Sequence, residues 1–153
     1  MAAATTWAYE FIVNVYVLKM SSIYTIAQHG ALLVFGPRVQ ALGGWTLLIG
    51  MGVHFGTSCV WGILFAMMWP WLRARGFEAS LAGVLFGLLA CLVMDSIVIH
   101  VSPMHVKPTL VLILLSVIFH TLPFGIPLAL VAQALLNPKR SRRVRDGALQ
   151  STV

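Results

Sequence analysis

The sequence predicts an all-α integral membrane protein, a four-helix bundle of up-down-up-down connectivity. Of the 153 residues, 59% are hydrophobic and 9% are charged, and the mean hydropathy is +0.92. Soluble domains carry about 25% charged residues, so this chain has too few charges to cover a surface in water. Disordered chains are poor in apolar residues, which excludes that class as well. About 20 apolar residues cross a bilayer as a helix, and the chain has room for four such helices.

The first predicted helix covers about residues 7–35 and is the most polar of the four. Glu10 and Lys19 fall within it, so two arrangements stay open. Either one long helix runs through the whole segment, or a shorter helix covers Met20 to Phe35 and the preceding residues lie along the interface. The N-terminal residues show no basic region and no cleavage site of a secretory signal, so we expect this segment to be retained.

The second helix is predicted at about 45–69, within 34 consecutive uncharged residues between Arg38 and Arg73. Trp45 and Trp69 bound this helix. At ~1.5 Å per residue they stand roughly 36 Å apart, which suits the two head-group layers where tryptophan is enriched.

The last two helices are predicted at about 80–101 and 109–136. Asp95 and His100 interrupt the first of them. Pro123 and Pro127 break the second, which membrane helices tolerate as kinks where neighbours satisfy the freed carbonyls. The connections between helices are short, so consecutive helices are expected to pack as antiparallel neighbours.

Basic residues predict the orientation. Arg73, Arg75 and five basic residues after the last helix lie on one side, while Arg38 and Lys107 lie on the other. With four spans, the positive-inside rule then places both termini in the cytoplasm of a bacterial inner membrane. A three-span arrangement keeps the same bias and puts the N-terminus outside, so charge does not decide whether the first helix spans. We expect the basic tail over 137–153 to be disordered and to attract anionic lipid head groups, not nucleic acid. Its basic residues are Lys139, Arg140, Arg142, Arg143 and Arg145.

Two helices carry small residues at steps of four. The first stripe comprises Gly50, His54, Ser58 and Gly62 beside the pair Gly52 and Gly56, and the second comprises Gly83, Gly87, Cys91 and Asp95. Such stripes let helix backbones approach closely in lipid. We therefore interpret Gly52, Gly56, Gly83 and Gly87 as helix-packing positions, and both cysteines as small packing residues.

Ionisable groups inside the helices are the candidate functional residues, because an acid or base in hydrocarbon costs about 2.5 to 3.5 kcal/mol. They are Lys19, His29, His54, Asp95 and His120. Helix positions place His54 and His120 at similar depth near the midplane, and Asp95 with His29 nearer the outer leaflet. The alternative for each of them is a purely structural role as a hydrogen-bonded core group. His120, for example, has Ser116 one turn before it on the same helix.

Three kinds of chemistry use side chains of these types. Two imidazoles at one depth, His54 and His120, suit haem or transition-metal ligation. Asp95 with several histidines suits proton relay or passage of a small cation. Hydrolytic chemistry is disfavoured, because no GxSxG or HExxH motif and no usable carboxylate pair is present, so the chain is not expected to be an enzyme.

The sequence resembles a loose group of small bacterial four-helix inner-membrane proteins known only as domains of unknown function. The resemblance covers roughly residues 45–136. It rests on three segments, His54-Phe-Gly-Thr-Ser58-Cys-Val-Trp-Gly62, Gly83-Val-Leu-Phe-Gly87, and Ser116-Val-Ile-Phe-His120 followed by Gly125. It implies a class of protein and no mechanism.

The functional expectation is a structural or accessory role in the membrane, as a homo-oligomer or as a subunit of a larger complex. The absence of a sizeable soluble domain and the glycine stripes favour it. The first alternative is a small proton-coupled or cation transporter or channel that uses His54, Asp95 and His120. The second is a redox subunit that binds haem or a metal.

Overall fold

The structure, a computed structural model, describes residues 8–9, 12–13, 23–101 and 107–136, and within this part the chain is helical without strands. In chain order the elements are α1 (Ile23–Phe35), a 3-10 helix (Pro37–Leu42), α2 (Trp45–Ala74), α3 (Ala79–Val101), α4 (Leu110–Phe119), a π-helix (His120–Gly125) and α5 (Ile126–Leu136). The all-helical prediction is confirmed. Among the described residues, three apolar stretches are long enough to cross a membrane: Trp45–Ala74, Ala79–Val101 and Leu110–Leu136.

The first predicted helix falls partly on residues that the structure does not describe, which include the segment 14–22. Its longest described part is the 13-residue helix α1, so the choice between a long and a short first helix stays a prediction. Glu10, Lys19 and the basic tail over 137–153 also lie outside the described residues.

Helix α2 continues one turn beyond its predicted end at Trp69. Pro70 lies inside the helix. An interior proline removes one backbone hydrogen bond and crowds the carbonyl four residues before it, yet this helix continues to Ala74. Gly76, two residues after the last helical residue, has a φ of 81°, which an L side chain rarely adopts. There the Gly76 amide donates to the Arg73 carbonyl and the Phe77 amide to the Leu72 carbonyl, which is the Schellman arrangement of a helix end.

The predicted helix 109–136 is not one regular helix. It begins at Thr109, whose hydroxyl accepts a hydrogen bond from the Leu112 amide at 3.3 Å. Helix α4 then widens into the π-helix, which contains Pro123, and returns to α-helix in α5. Proline cannot donate to the carbonyl four residues before it, and one wide turn accommodates that missing bond without ending the helix.

Two clusters of buried side chains hold the helices together. The smaller joins α1, the 3-10 helix and the start of α2 through Ala31, Leu32 and Val39, and the Thr46 hydroxyl donates to the Val39 carbonyl at 2.9 Å. Gly30 of α1 lies against the backbone of α2, since a Cβ there would stand 3.3 Å from the Gly50 carbonyl oxygen.

The larger cluster joins the second half of α2 to α3, the π-helix and α5. Phe65 of α2 and Phe86 of α3 pack edge to face with ring centroids 5.0 Å apart, and Trp69 stacks on Phe65. The rest of this cluster consists largely of small side chains of α3 and α5, namely Ala79, Ala82, Ala90, Ala129 and Ala132. This core lies toward the end of the helices that carries Arg73, so the polar site described next lies beyond it along α3.

Candidate functional site: a polar cluster between α3 and α4

Four polar side chains meet where α3 passes α4 and the start of the π-helix. Cys91 and Asp95 lie four residues apart on α3, and Ser116 and His120 lie four residues apart across the end of α4. Residues at this spacing share a helix face, so each helix presents one polar pair to the other. One turn of α3 and one turn at the end of α4 therefore form the site.

Ser116 is the centre of the cluster. Its hydroxyl donates to Asp95 Oδ1 at 2.8 Å and lies 3.5 Å from Cys91 Sγ. The Cys91 thiol in turn donates to Asp95 Oδ2 at 3.5 Å. His120 Nδ1 lies 2.9 Å from the Ser116 carbonyl oxygen, and because a carbonyl only accepts, Nδ1 carries the proton in this arrangement.

Close backbone contact brings the two pairs together. A Cβ on Gly87, one turn before Cys91, would collide with the carbonyl of His120, and a Cβ on Gly83 would stand 2.5 Å from the Gly125 carbonyl oxygen. Only glycine permits this approach. The predicted stripe of small residues on α3 therefore has two roles. Its first two residues, Gly83 and Gly87, make the packing contact, and its last two, Cys91 and Asp95, form the polar pair.

The cluster borders apolar side chains on one side and a cavity on the other. Cys91 is buried, and the His120 ring packs edge to face on Phe119, with centroids 4.9 Å apart. A cavity of about 80 Å³ borders Asp95 and Ser116 and extends toward Pro108, before the start of α4. Such a volume accommodates water beside the carboxylate.

The structure groups the predicted site residues differently from the depth argument. Asp95 lies with Ser116 and His120, whereas the sequence paired Asp95 with His29 and His120 with His54. His29 is exposed on α1, and His54 packs edge to face on Phe55, with centroids 5.8 Å apart. Among the described residues, the group able to share one ion is Cys91, Asp95 and His120. The fifth candidate, Lys19, is not among the residues described.

The four predicted packing glycines fall into two classes. Gly83 and Gly87 lie against the backbone of the π-helix. Gly52 and Gly56 are exposed on α2, and within the part of the chain that the structure describes no atom lies within 4 Å of a Cβ built at either position.

Sequence reasoning missed Cys91 as a member of the site. A cysteine in an apolar run is chemically ambiguous, because a thiol packs as a small hydrophobic group and also binds metals. The sequence does contain a signal for this role of Cys91. Cys91 lies four residues before Asp95, the only carboxylate of α3, so the two side chains share a helix face one turn apart.

Together these features describe a small helical protein with three membrane-length apolar stretches and a hydrogen-bonded Cys-Asp-Ser-His cluster within two of them. Comparison of the chain with protein-family models, curated proteins and solved structures finds no match. The resemblance to small inner-membrane proteins of unknown function therefore stays a prediction, and function has to be argued from the site and from the helix faces.

Proposed function

We propose that this chain is an accessory membrane protein that assembles with further copies of itself through the open face of α2. The observation that supports this most directly is the exposure of Gly52 and Gly56. They lie four residues apart on a membrane-length helix, and a Cβ at either position meets none of the described residues within 4 Å.

Three glycines on other described helices lie against a neighbouring backbone, whereas Gly62 of α2 touches only the Leu128 side chain, at 3.7 Å. Gly30 of α1 contacts α2, and Gly83 and Gly87 of α3 contact the π-helix. Helix association in lipid depends on such close approach, because apolar side chains gain little by leaving lipid tails for each other. An open glycine pair on α2 therefore fits a helix that approaches from outside the single chain.

Helix α2 is also the least covered of the three long apolar stretches. Its most apolar window is 6% buried, against 33% for α3 and 17% for Leu110–Leu136. The face that carries Gly52 and Gly56 continues through the exposed residues Cys59, Ile63 and Met67. A second copy presenting the same face gives a symmetric contact along this stripe, the commonest arrangement of homo-oligomers.

Cys59 provides the experiment. It is free and exposed, and it lies seven residues after Gly52 on the same face. Mild oxidation of membranes that contain the full chain is expected to yield a disulfide-linked dimer, and light scattering in lipid nanodiscs is expected to give at least twice the monomer mass. Cys59→Ser removes the crosslink and leaves the mass unchanged.

Two substitutions separate this face from lipid-exposed surface in general. Gly56→Leu fills the open stripe and is expected to abolish both the crosslink and the larger mass. Leu92→Phe, which enlarges a side chain that is 68% exposed on α3, is expected to leave both unchanged. A wild-type chain that is monomeric in nanodiscs overturns the proposal.

Proton or cation passage is the second candidate, because Asp95, Ser116 and His120 form a continuous hydrogen-bonded path with a cavity beside it. It predicts that liposomes containing the chain dissipate a pH gradient, and that Asp95→Asn stops this while the helical content is kept. A flux equal to that of empty liposomes removes this candidate.

A further inference from the structure

We propose that Cys91, Asp95 and His120 form a binding site for a divalent transition-metal ion of the zinc class. These residues offer one sulfur, one carboxylate oxygen and one ring nitrogen, all within 4.8 Å of one another. Thiolate, imidazole and carboxylate are the three side-chain ligands that Zn²⁺ uses in proteins. A Mg²⁺ or Ca²⁺ site would instead be built from oxygen ligands alone.

The separations suit a tetrahedral ion. With bonds of about 2.0 to 2.3 Å, ligand atoms at tetrahedral angles stand about 3.5 Å apart. Cys91 Sγ and Asp95 Oδ2 are 3.5 Å apart. The widest separation in the group is within 4.8 Å, so the site closes around an ion when side chains move by about 1 Å. No rearrangement of the helices is required.

Charge also balances at this site. Binding converts the Cys91 thiol to a thiolate and releases one proton to solvent, while His120 binds as the neutral imidazole. One thiolate and one ionised carboxylate then neutralise the two positive charges of the ion. A neutral complex is the form that an apolar helix bundle accommodates best, because an uncompensated charge in the hydrocarbon is costly.

The surroundings provide a support and a fourth ligand. The Ser116 hydroxyl donates to Asp95 Oδ1 at 2.8 Å, and carboxylates that bind a metal are commonly held in place by such a hydrogen bond. The cavity of about 80 Å³ borders Asp95 and Ser116 and can hold a water molecule as the fourth ligand. The cavity also borders Pro108, before the start of α4.

Co²⁺ titration of the full chain, purified in detergent and treated with a chelator, tests the site directly. Thiolate-bound Co²⁺ gives a near-ultraviolet charge-transfer band, and four-coordinate Co²⁺ gives intense visible bands. We expect one Co²⁺ per chain with both features, and displacement of the Co²⁺ by Zn²⁺. A wild-type chain that binds no metal, or binds it without the thiolate band, overturns the proposal.

The two free cysteines make a matched pair of variants. Cys91→Ser is expected to lose the charge-transfer band, while Cys59→Ser, at the other free cysteine, is expected to keep it. Asp95→Asn and His120→Gln are expected to weaken binding at least tenfold. A band that persists in Cys91→Ser, or that disappears in Cys59→Ser, contradicts the assignment.

Two measurements keep the test decisive if Cys91→Ser does not fold. The cadmium NMR shift of the wild-type chain reports the ligand atoms without any substitution, and one sulfur ligand is expected. Ser116→Ala keeps all three ligands and removes only the support of Asp95, so a 10- to 100-fold loss of affinity with an unchanged band position is expected. A cadmium shift typical of oxygen and nitrogen ligands alone overturns the proposal, whatever the oligomeric state of the chain.

Discussion

Ser116 links the two helices of the polar cluster more than any other single side chain. Its hydroxyl reaches the Asp95 carboxylate on α3, and its carbonyl accepts from His120 one turn later on the chain. Asp95 therefore has a donor within an apolar surrounding, and a partly buried carboxylate that loses such a donor is destabilised. The polar cluster thus joins α3 to α4 whether or not an ion is bound.

Replacement of this hydroxyl is expected to lower the stability of the fold. Ser116→Ala leaves the half-buried Asp95 carboxylate without its shortest hydrogen bond, which costs about 1 kcal/mol, the lower end of the range for a fully buried group. Unfolding of the purified protein in mixed detergent micelles measures the change. Ser96→Ala is the matched control, because the Ser96 hydroxyl donates only to the Leu92 carbonyl of its own helix. Equal stability of the two variants would contradict a linking role for Ser116.

At the same scale, the sequence predicts which residues are polar in the bilayer and not which of them meet. Asp95 and His120 stand out because ionisable groups in hydrocarbon require an explanation. Their contact depends on the rotation of each helix about its axis, and depth along the helix does not fix that rotation. The pairing of His54 with His120 rests on depth alone and stays a prediction, whereas the structure places Asp95 beside His120, a contact that depth did not predict.

At the scale of the helices, α3 and the π-helix form the closest contact in the described chain. Gly83 and Gly125 face each other, so a Cβ on either one would meet the backbone of the other. Backbone atoms cannot move away as a flexible side chain can. The π-helix thereby sets the position of His120 as well as the path of α5.

A methyl group at this contact is expected to separate the helices. In Gly83→Ala the added Cβ stands 2.5 Å from the Gly125 carbonyl oxygen and 3.0 Å from the Ala129 Cβ, and overpacking of this kind costs about 1 to 3 kcal/mol or more. Detergent unfolding measures the loss. Gly62→Ala is the matched control, because its nearest contact would be an ordinary 3.7 Å to the Leu128 side chain. A stability loss no larger than that of the control would contradict the predicted overpacking.

The small-residue spacing predicts the glycine contacts of α3, because a step of four defines a helix face. It does not distinguish glycines that face a neighbour from glycines that face outward, and Gly52 is of the second kind. The prolines likewise predict only part of the helix geometry. Pro123 indicates a disturbed turn, but the sequence does not say that the turn widens into a π-helix that carries His120.

At the scale of the whole molecule, α2 connects two packed regions. Its start packs with α1 and the 3-10 helix, and its second half packs with α3 and α5. Arg73 and Arg75 lie at its end, where the Arg75 guanidinium lies 3.5 Å from the centre of the Trp71 ring. A cation stacked on an aromatic ring suits the head-group layer. The three long helices are therefore expected to run across the membrane, with Arg73 and Arg75 on the cytoplasmic side.

Two exposed loop residues at opposite ends of α3 test this orientation in spheroplasts. Glu78 precedes the helix and Lys107 follows it, so a single crossing by α3 puts them on opposite sides of the membrane. A membrane-impermeant maleimide is expected to label Lys107→Cys in intact spheroplasts and Glu78→Cys only after lysis. The wild-type chain is the control, because its two cysteines lie inside the apolar helices, where the reagent does not enter. Labelling in the reverse order would invert the topology, and labelling of both before lysis would show that α3 does not cross the bilayer.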